Sequence, residues 1–206
     1  MLNRKCKITF ICHGATVNSE ENRFSDKENY PPLNDAGQEE IEKICQWLKK
    51  RAIKNDKIYT SASLRAVQSA QMISKVFKKD IEILDDLHSR RRGIWSGLTL
   101  ELIECKYPQQ LEQSLANPCS YCPDGGETII DFNKRVSKII KKAVDENTGN
   151  RVIIVAGFDV IQSAISKAIK LPPKNQNSIY IKTGSATQIS YFDGWASLMY
   201  SGQVPL

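Results

Sequence analysis

The run Arg151-Val152-Ile153-Ile154-Val155-Ala156, closed by Gly157 and followed by a helical segment from Phe158 to Lys170, limits the fold of this chain more than any other feature. An unbroken apolar run has no wet face, so a strand made from it must be covered on both sides. It is far too short to cross a bilayer, which takes about 20 apolar residues. The same strand-then-helix unit recurs. Residues 6–11 read as a buried strand ending at Gly14, and after a polar loop over 15–33, Asn34 caps a helix over 35–52 with Ile41, Ile44, Cys45, Leu48 and Ala52 inward. Lys57–Thr60 reads as a short strand, and Ser61 or Ser63 caps a helix facing the core with Ala66, Ala70, Ile73 and Phe77. Ile81–Leu84 is a further strand, and Thr128–Glu146 a long amphipathic helix with Ile129, Phe132, Val136, Ile139, Ile140 and Ala143 inward. Ala186–Phe192 and Ala196–Tyr200, separated by Asp193-Gly194, read as an edge hairpin. This alternation predicts an α/β fold: a three-layer α/β/α sandwich around a mainly parallel sheet.

At 206 residues the chain suits one domain over 1–206, with the irregular stretch 85–126 as an insertion or cap carrying short helices near 98–106 and 108–116. The net charge of +6 is dispersed among acids, in Lys49-Lys50-Arg51, Lys78-Lys79, Arg90-Arg91-Arg92 and Lys141-Lys142, with no aromatic-interleaved basic stripe. No nucleic-acid or membrane partner is expected; small anions fit better. The six cysteines lack a disulfide-framework spacing, so free thiols are expected, and Cys119-Ser120-Tyr121-Cys122 has no second pair to complete a metal site. The expectation is a cytoplasmic protein with neither metal nor cofactor.

In a parallel sheet, ligands bind beyond the carboxyl ends of the strands, where loops feed helix N-termini. The loops in question are 12–19 and 156–159, and the first carries His13, one of two histidines in the chain.

Four ordered segments carry a resemblance. Phe10-Ile11-Cys12-His13-Gly14-Ala15-Thr16 resembles the Arg-His-Gly-x-Thr opening of the histidine phosphatase superfamily, the phosphoglycerate mutase-like proteins. Pro32-Leu33-Asn34-Asp35-Ala36-Gly37 is similar to that family's Pro-Leu-Thr-x-x-Gly helix start, and Tyr59 to Ala70 to its Tyr-Ser-Ser-x-x-x-Arg-Ala-x-Gln-Thr-Ala segment. Pro123-Asp124-Gly125-Gly126-Glu127-Thr128 resembles its Gly-Gly-Glu-Ser cap. The resemblance spans roughly 6–200 and implies hydrolysis of a phosphomonoester through phospho-His13. It makes Arg65 a phosphate-binding arginine, with Gly14 and Thr16 in the same anion-binding loop.

The rest departs from the pattern. Cys12 stands where the family has an arginine, Ser89 where it has its proton-donating acid, Gly157 where it has a second histidine, and Asp159 where it has a glycine. Arg90 occupies the place of an arginine that holds a second anionic group in members acting on phosphoglycerates. The expectation is therefore a degraded catalytic set, inactive or very slow as a standard phosphatase but keeping an anion pocket. The alternative is an active phosphatase or repurposed enzyme using His13 with unconventional partners, Cys12 as a new nucleophile included. The ligand expected is a phosphorylated or other anionic small molecule. An intact homologue or a second copy of the chain is a further conceivable partner.

Overall fold

The computed structural model describes residues 4–25 and 30–205. In chain order its elements are β1 (Arg4–Cys12), α1 (Val17–Glu20), α2 (Asp35–Lys50), β2 (Lys57–Thr60), α3 (Leu64–Phe77), β3 (Ile81–Ile83), α4 (Leu100–Lys106) and α5 (Pro108–Ala116). Then follow α6 (Ile129–Glu146), β4 (Arg151–Ala156), α7 (Phe158–Ala168), β5 (Ala186–Phe192) and β6 (Ala196–Gln203). The six strands form one sheet in the order β3-β2-β4-β1-β5-β6. The pairs β2·β3, β2·β4 and β1·β4 are parallel, whereas β1·β5 and β5·β6 are antiparallel.

The apolar run in β4 serves two cores at once. Val152, Ile154 and Ala156 pack with Phe132, Val136, Val160 and Ile161 of α6 and α7, while Ile153 and Val155 pack with Ile41, Ile44, Ala66 and Ile73 of α2 and α3. Successive side chains of a strand point to opposite faces, so a strand at the centre of a covered sheet must be apolar at every position.

Backbone geometry explains most boundary differences from the sequence reading. Helix α2 ends at Lys50 because Ala52 takes a left-handed φ of 46°, and α7 ends at Ala168 because Lys170 takes φ 57° ahead of Pro172 and Pro173. Strand β6 runs on to Gln203, past two register shifts in its pairing with β5 that no side-chain alternation announces. The 15–33 stretch, expected as loop, contains α1, a single turn held by a reciprocal pair of hydrogen bonds between Thr16 and Ser19. One turn has no periodicity to read.

What positions the site is the adjacency of β2, β4 and β1. Their carboxyl ends deliver Ser61–Arg65, Gly157–Asp159 and His13 to the same edge of the sheet, although these residues lie up to about 150 positions apart.

Candidate active site

His13 follows the last residue of β1, where its backbone N–H donates to Ala156 O (3.2 Å) and its carbonyl accepts from Gly184 N (3.1 Å). The ring is only 4% exposed. Its Nδ1–H donates to Gly14 O at 2.8 Å, which leaves Nε2 as the lone-pair nitrogen, and Arg65 Nε donates to Nε2 at 2.7 Å. Burial and, secondarily, the Arg65 charge pull the imidazole pKa down to about 3, so the ring is neutral at physiological pH.

The loop that holds this ring depends on two glycines. A Cβ on Gly14 would lie 2.2 Å from Gly37 O, and one on Gly37 would lie 2.1 Å from Ala15 O. The first turn of α2 therefore lies backbone against backbone on the His13 loop, an approach only glycine allows. Gly14 N–H donates to Ser69 Oγ (3.3 Å), and Ala15 N–H donates to Glu40 Oε2 (2.9 Å), so α3 and α2 both fix the loop.

A cleft opens in front of the ring, lined by His13, Thr16, Arg65, Ser89 and Asp159 among the residues expected from the sequence. Gly157 caps α7 at its back with φ −74° and ψ 160°. A Cβ there would meet Ser89 Oγ at 2.7 Å and Asp159 Oδ1 at 2.9 Å, so positions 89, 157 and 159 converge on one point. Asp159 is 5% exposed, and its two carboxylate oxygens accept from Arg90 N (2.7 Å) and Val160 N (2.9 Å).

Two expectations are corrected by this geometry. Cys12 does not face the cleft: its side chain is fully buried in the core against α6 and α7, and burial pushes its thiol far above the usual range. It can serve neither as an anion ligand nor as a thiolate nucleophile. Arg90 does not line the cleft either. Its Nε donates to Glu127 O (2.8 Å), and burial, with the Arg92 charge nearby, brings its pKa down to about 10.

The arginine of this segment that does reach the cleft is Arg92, stacked 4.6 Å over Phe24, and Arg23 joins it. Arg23, Phe24, Phe158 and Thr183 were missed by the sequence reading. The run Arg90-Arg91-Arg92 signalled a basic turn, but which of three consecutive side chains points inward is set by the backbone of that turn, here a bridge between Arg92 and Gly126.

Buried Glu127 and partly buried Arg135 form a pair with two contacts, Arg135 Nε to Oε1 (3.0 Å) and Nη2 to Oε2 (2.8 Å). Burial on its own would raise the Glu127 carboxyl, but the Arg135 hydrogen bonds and charge outweigh it and hold the pKa below its ordinary value. Arg135 Nη1 also donates to Asp86 O and His88 O, which ties α6 to the segment carrying Ser89. Among the described residues no group of three or more His, Cys, Asp or Glu is arranged to hold a metal ion.

Known proteins share both sequence and architecture with this chain. The chain is 26% identical over 190 residues to phosphoglycerate mutase-like protein 4 of Arabidopsis thaliana, covering 91% of this chain and 80% of that one. It is also 26% identical over 183 residues to a 2,3-bisphosphoglycerate-dependent phosphoglycerate mutase of Parvibaculum lavamentivorans, covering 86% and 87%. Among solved structures, Bacillus stearothermophilus YhfR superposes with a TM-score of 0.88 at 24% identity over 97% of this chain and 98% of that one. A phosphoserine phosphatase from Entamoeba histolytica in complex with 3-phosphoglyceric acid gives 0.83 at 19% identity over 97% and 98%. These two likenesses speak to the fold. The model of the histidine phosphatase superfamily (branch 1) matches residues 8–201, which include His13, Arg65 and every other cleft residue named above, and the chain belongs to that superfamily.

Proposed function

We propose that the protein binds phosphomonoesters in this cleft and passes their phosphoryl group to His13 Nε2, at a rate well below that of an ordinary phosphatase. The observation that carries this reading is the fixed tautomer of a neutral, buried His13, with its Nε2 lone pair directed at Arg65. One lone pair cannot both accept from Arg65 and attack phosphorus. The first event is therefore transfer of the Arg65 N–H from the ring to an incoming phosphate oxygen, which frees Nε2 as it neutralises the anion. Phosphoryl transfer rests on such positioning and charge neutralisation.

The low rate follows from what the cleft lacks. Cys12 lies in the core, Ser89 supplies a hydroxyl in place of a carboxylic acid, and Gly157 supplies no imidazole. Loss of one such group commonly costs about 10²–10³-fold, and losses within one cooperating set do not multiply. Phosphorylated small molecules of the kind seen with structural neighbours, phosphoserine and 3-phosphoglyceric acid, are the substrate class to try first.

The test is phosphate release from these compounds by the wild type and by His13→Ala, with a non-acidic quench to trap phosphohistidine. Slow release that vanishes in His13→Ala, with label on His13, supports the reading. Turnover at about 1–10³ per second would overturn the slow rate, and release unaffected by His13→Ala would overturn the role of His13.

A further inference from the structure

We infer that the cleft selects the singly protonated form of a phosphomonoester: the Asp159 carboxylate accepts a hydrogen bond from the phosphate's own P–OH, and that proton goes on to the leaving oxygen. The inference rests on the reading of His13 as phosphoryl acceptor and names the ionic form of substrate that the same cleft takes.

The geometry points to Asp159 because of what stands around it. The side chain lies on the first turn of α7, is 5% exposed, and lines the cleft with His13 and Arg65. A carboxylate oxygen offers two acceptor sites, and the structure gives each oxygen of Asp159 one backbone donor, Arg90 N and Val160 N. Each oxygen of the carboxylate keeps a further acceptor site. A phosphate dianion placed between Arg65 and Asp159 would bring two formal charges against a third of the same sign. A monoanion turns that clash into a charge-assisted hydrogen bond, O–H to carboxylate.

The carboxylate has this place because its neighbours are small. A Cβ on Gly157 would lie 2.9 Å from Asp159 Oδ1 and 2.7 Å from Ser89 Oγ, so any larger side chain at 157 would compete for the same space. Among the described residues, the other charged or titratable groups here are His13 after β1, Arg23 after α1, Arg65 on α3, and His88, Arg90 and Arg92 in the segment carrying Ser89. His13 is neutral down to about pH 3, burial pulls His88 below its ordinary value, and arginines stay charged. The proton whose gain or loss governs binding between pH 6.5 and 8 is then the substrate's.

The step balances. His13 Nε2 forms the N–P bond, the P–O ester bond breaks with its electron pair going to the ester oxygen, and the P–OH proton, relayed through Asp159, makes that oxygen an alcohol. No outside acid is consumed, which suits a site with Ser89 where an acid is missing.

The test is calorimetric titration of the wild-type chain with O-phosphoserine and with sulfate between pH 5 and 8. A phosphomonoester with a second pKa of about 6 is about nine-tenths monoanion at pH 5 and about one-hundredth at pH 8. The expected result is apparent affinity for O-phosphoserine falling about 90-fold across that range, with the slope approaching tenfold per pH unit only above pH 7. Sulfate, a dianion throughout, should bind weakly at every pH. Asp159→Asn, whose amide donates where the carboxylate accepts, should flatten the phosphoserine profile and gain sulfate. Measurable phosphoserine binding with a flat wild-type profile, or sulfate bound as tightly as phosphoserine at pH 5, overturns the role of Asp159 and leaves the phosphomonoester cleft standing. No phosphoserine binding at any pH overturns both. The wild-type comparison decides the matter even if Asp159→Asn fails to fold.

Discussion

A single added methyl at Gly157 measures how firmly Asp159 is held. Gly157 has φ −74° and ψ 160°, a backbone conformation open to any residue, so the only objection to a side chain is space. Gly157→Ala would place Cβ 2.7 Å from Ser89 Oγ and 2.9 Å from Asp159 Oδ1. The serine hydroxyl can rotate away. The Asp159 carboxylate cannot move without straining its bonds to Val160 N and Arg90 N, each a hydrogen bond to a charged group worth about 1.5–3 kcal/mol. Against that strain, replacing glycine by alanine in a compatible conformation stabilises by about 0.4–1 kcal/mol through the unfolded chain. The net expectation is destabilisation by about 1–2 kcal/mol, or about 2–8 °C in Tm for a chain of this size. Made on an Asp159→Ala background, the same substitution should stabilise by about 0.4–1 kcal/mol, because nothing then opposes the methyl except the mobile serine. Urea denaturation of the wild type, both single variants and the double variant gives the coupling energy, expected at about 2 kcal/mol. An identical effect of Gly157→Ala in both backgrounds would refute the picture of Asp159 wedged into the space beside position 157.

Three other outcomes follow from buried groups. The His13 pKa lies near 3 in the folded protein and 6.5 in the unfolded chain, so the unfolded state binds the extra proton between those values; stability should fall as pH drops from 6.5 towards 3, by on the order of a few kcal/mol. Denaturation midpoints of the wild type and His13→Gln across that window check it, with the variant showing the shallower slope. Under a mild thiol reagent the exposed Cys105 should be labelled first, and Cys12 only as the protein unfolds, as peptide mapping over time would read. Arg135→Ala leaves the buried Glu127 carboxylate with only a long contact from Arg91 N (3.4 Å) and frees the carbonyls of Asp86 and His88, so a loss of about 3 kcal/mol is expected from denaturant titration.

Much of the architecture is written locally. The strands at 57–60 and 151–156 coincide with β2 and β4, and the helices expected over 35–52 and 128–146 differ from α2 and α6 by two residues or fewer at either end. Each is legible because burial imposes a period on its own residues: every position in the doubly covered β4, every third or fourth in the helices. The meeting of His13 and Arg65 was likewise legible, since each sits in a recognisable segment that follows a strand.

Tertiary structure decided which neighbouring side chain turns towards the cleft. Cys12 stands next to His13 in the chain, yet it continues the core-facing rank of Cys6, Ile8 and Phe10. The sequence pointed to Arg90, yet in the fold Arg92 pairs with Gly126 and reaches the cleft while Glu127 O holds Arg90. Asp159 reads locally as an ordinary first-turn acid; its place in the cleft depends on Ser89 and Gly157 leaving room 70 and 2 positions away. Periodicity reports which face of an element is buried, because burial acts on each residue in turn. The contents of a cleft are set by side chains from separate elements competing for one volume, and no local pattern records the outcome of that competition.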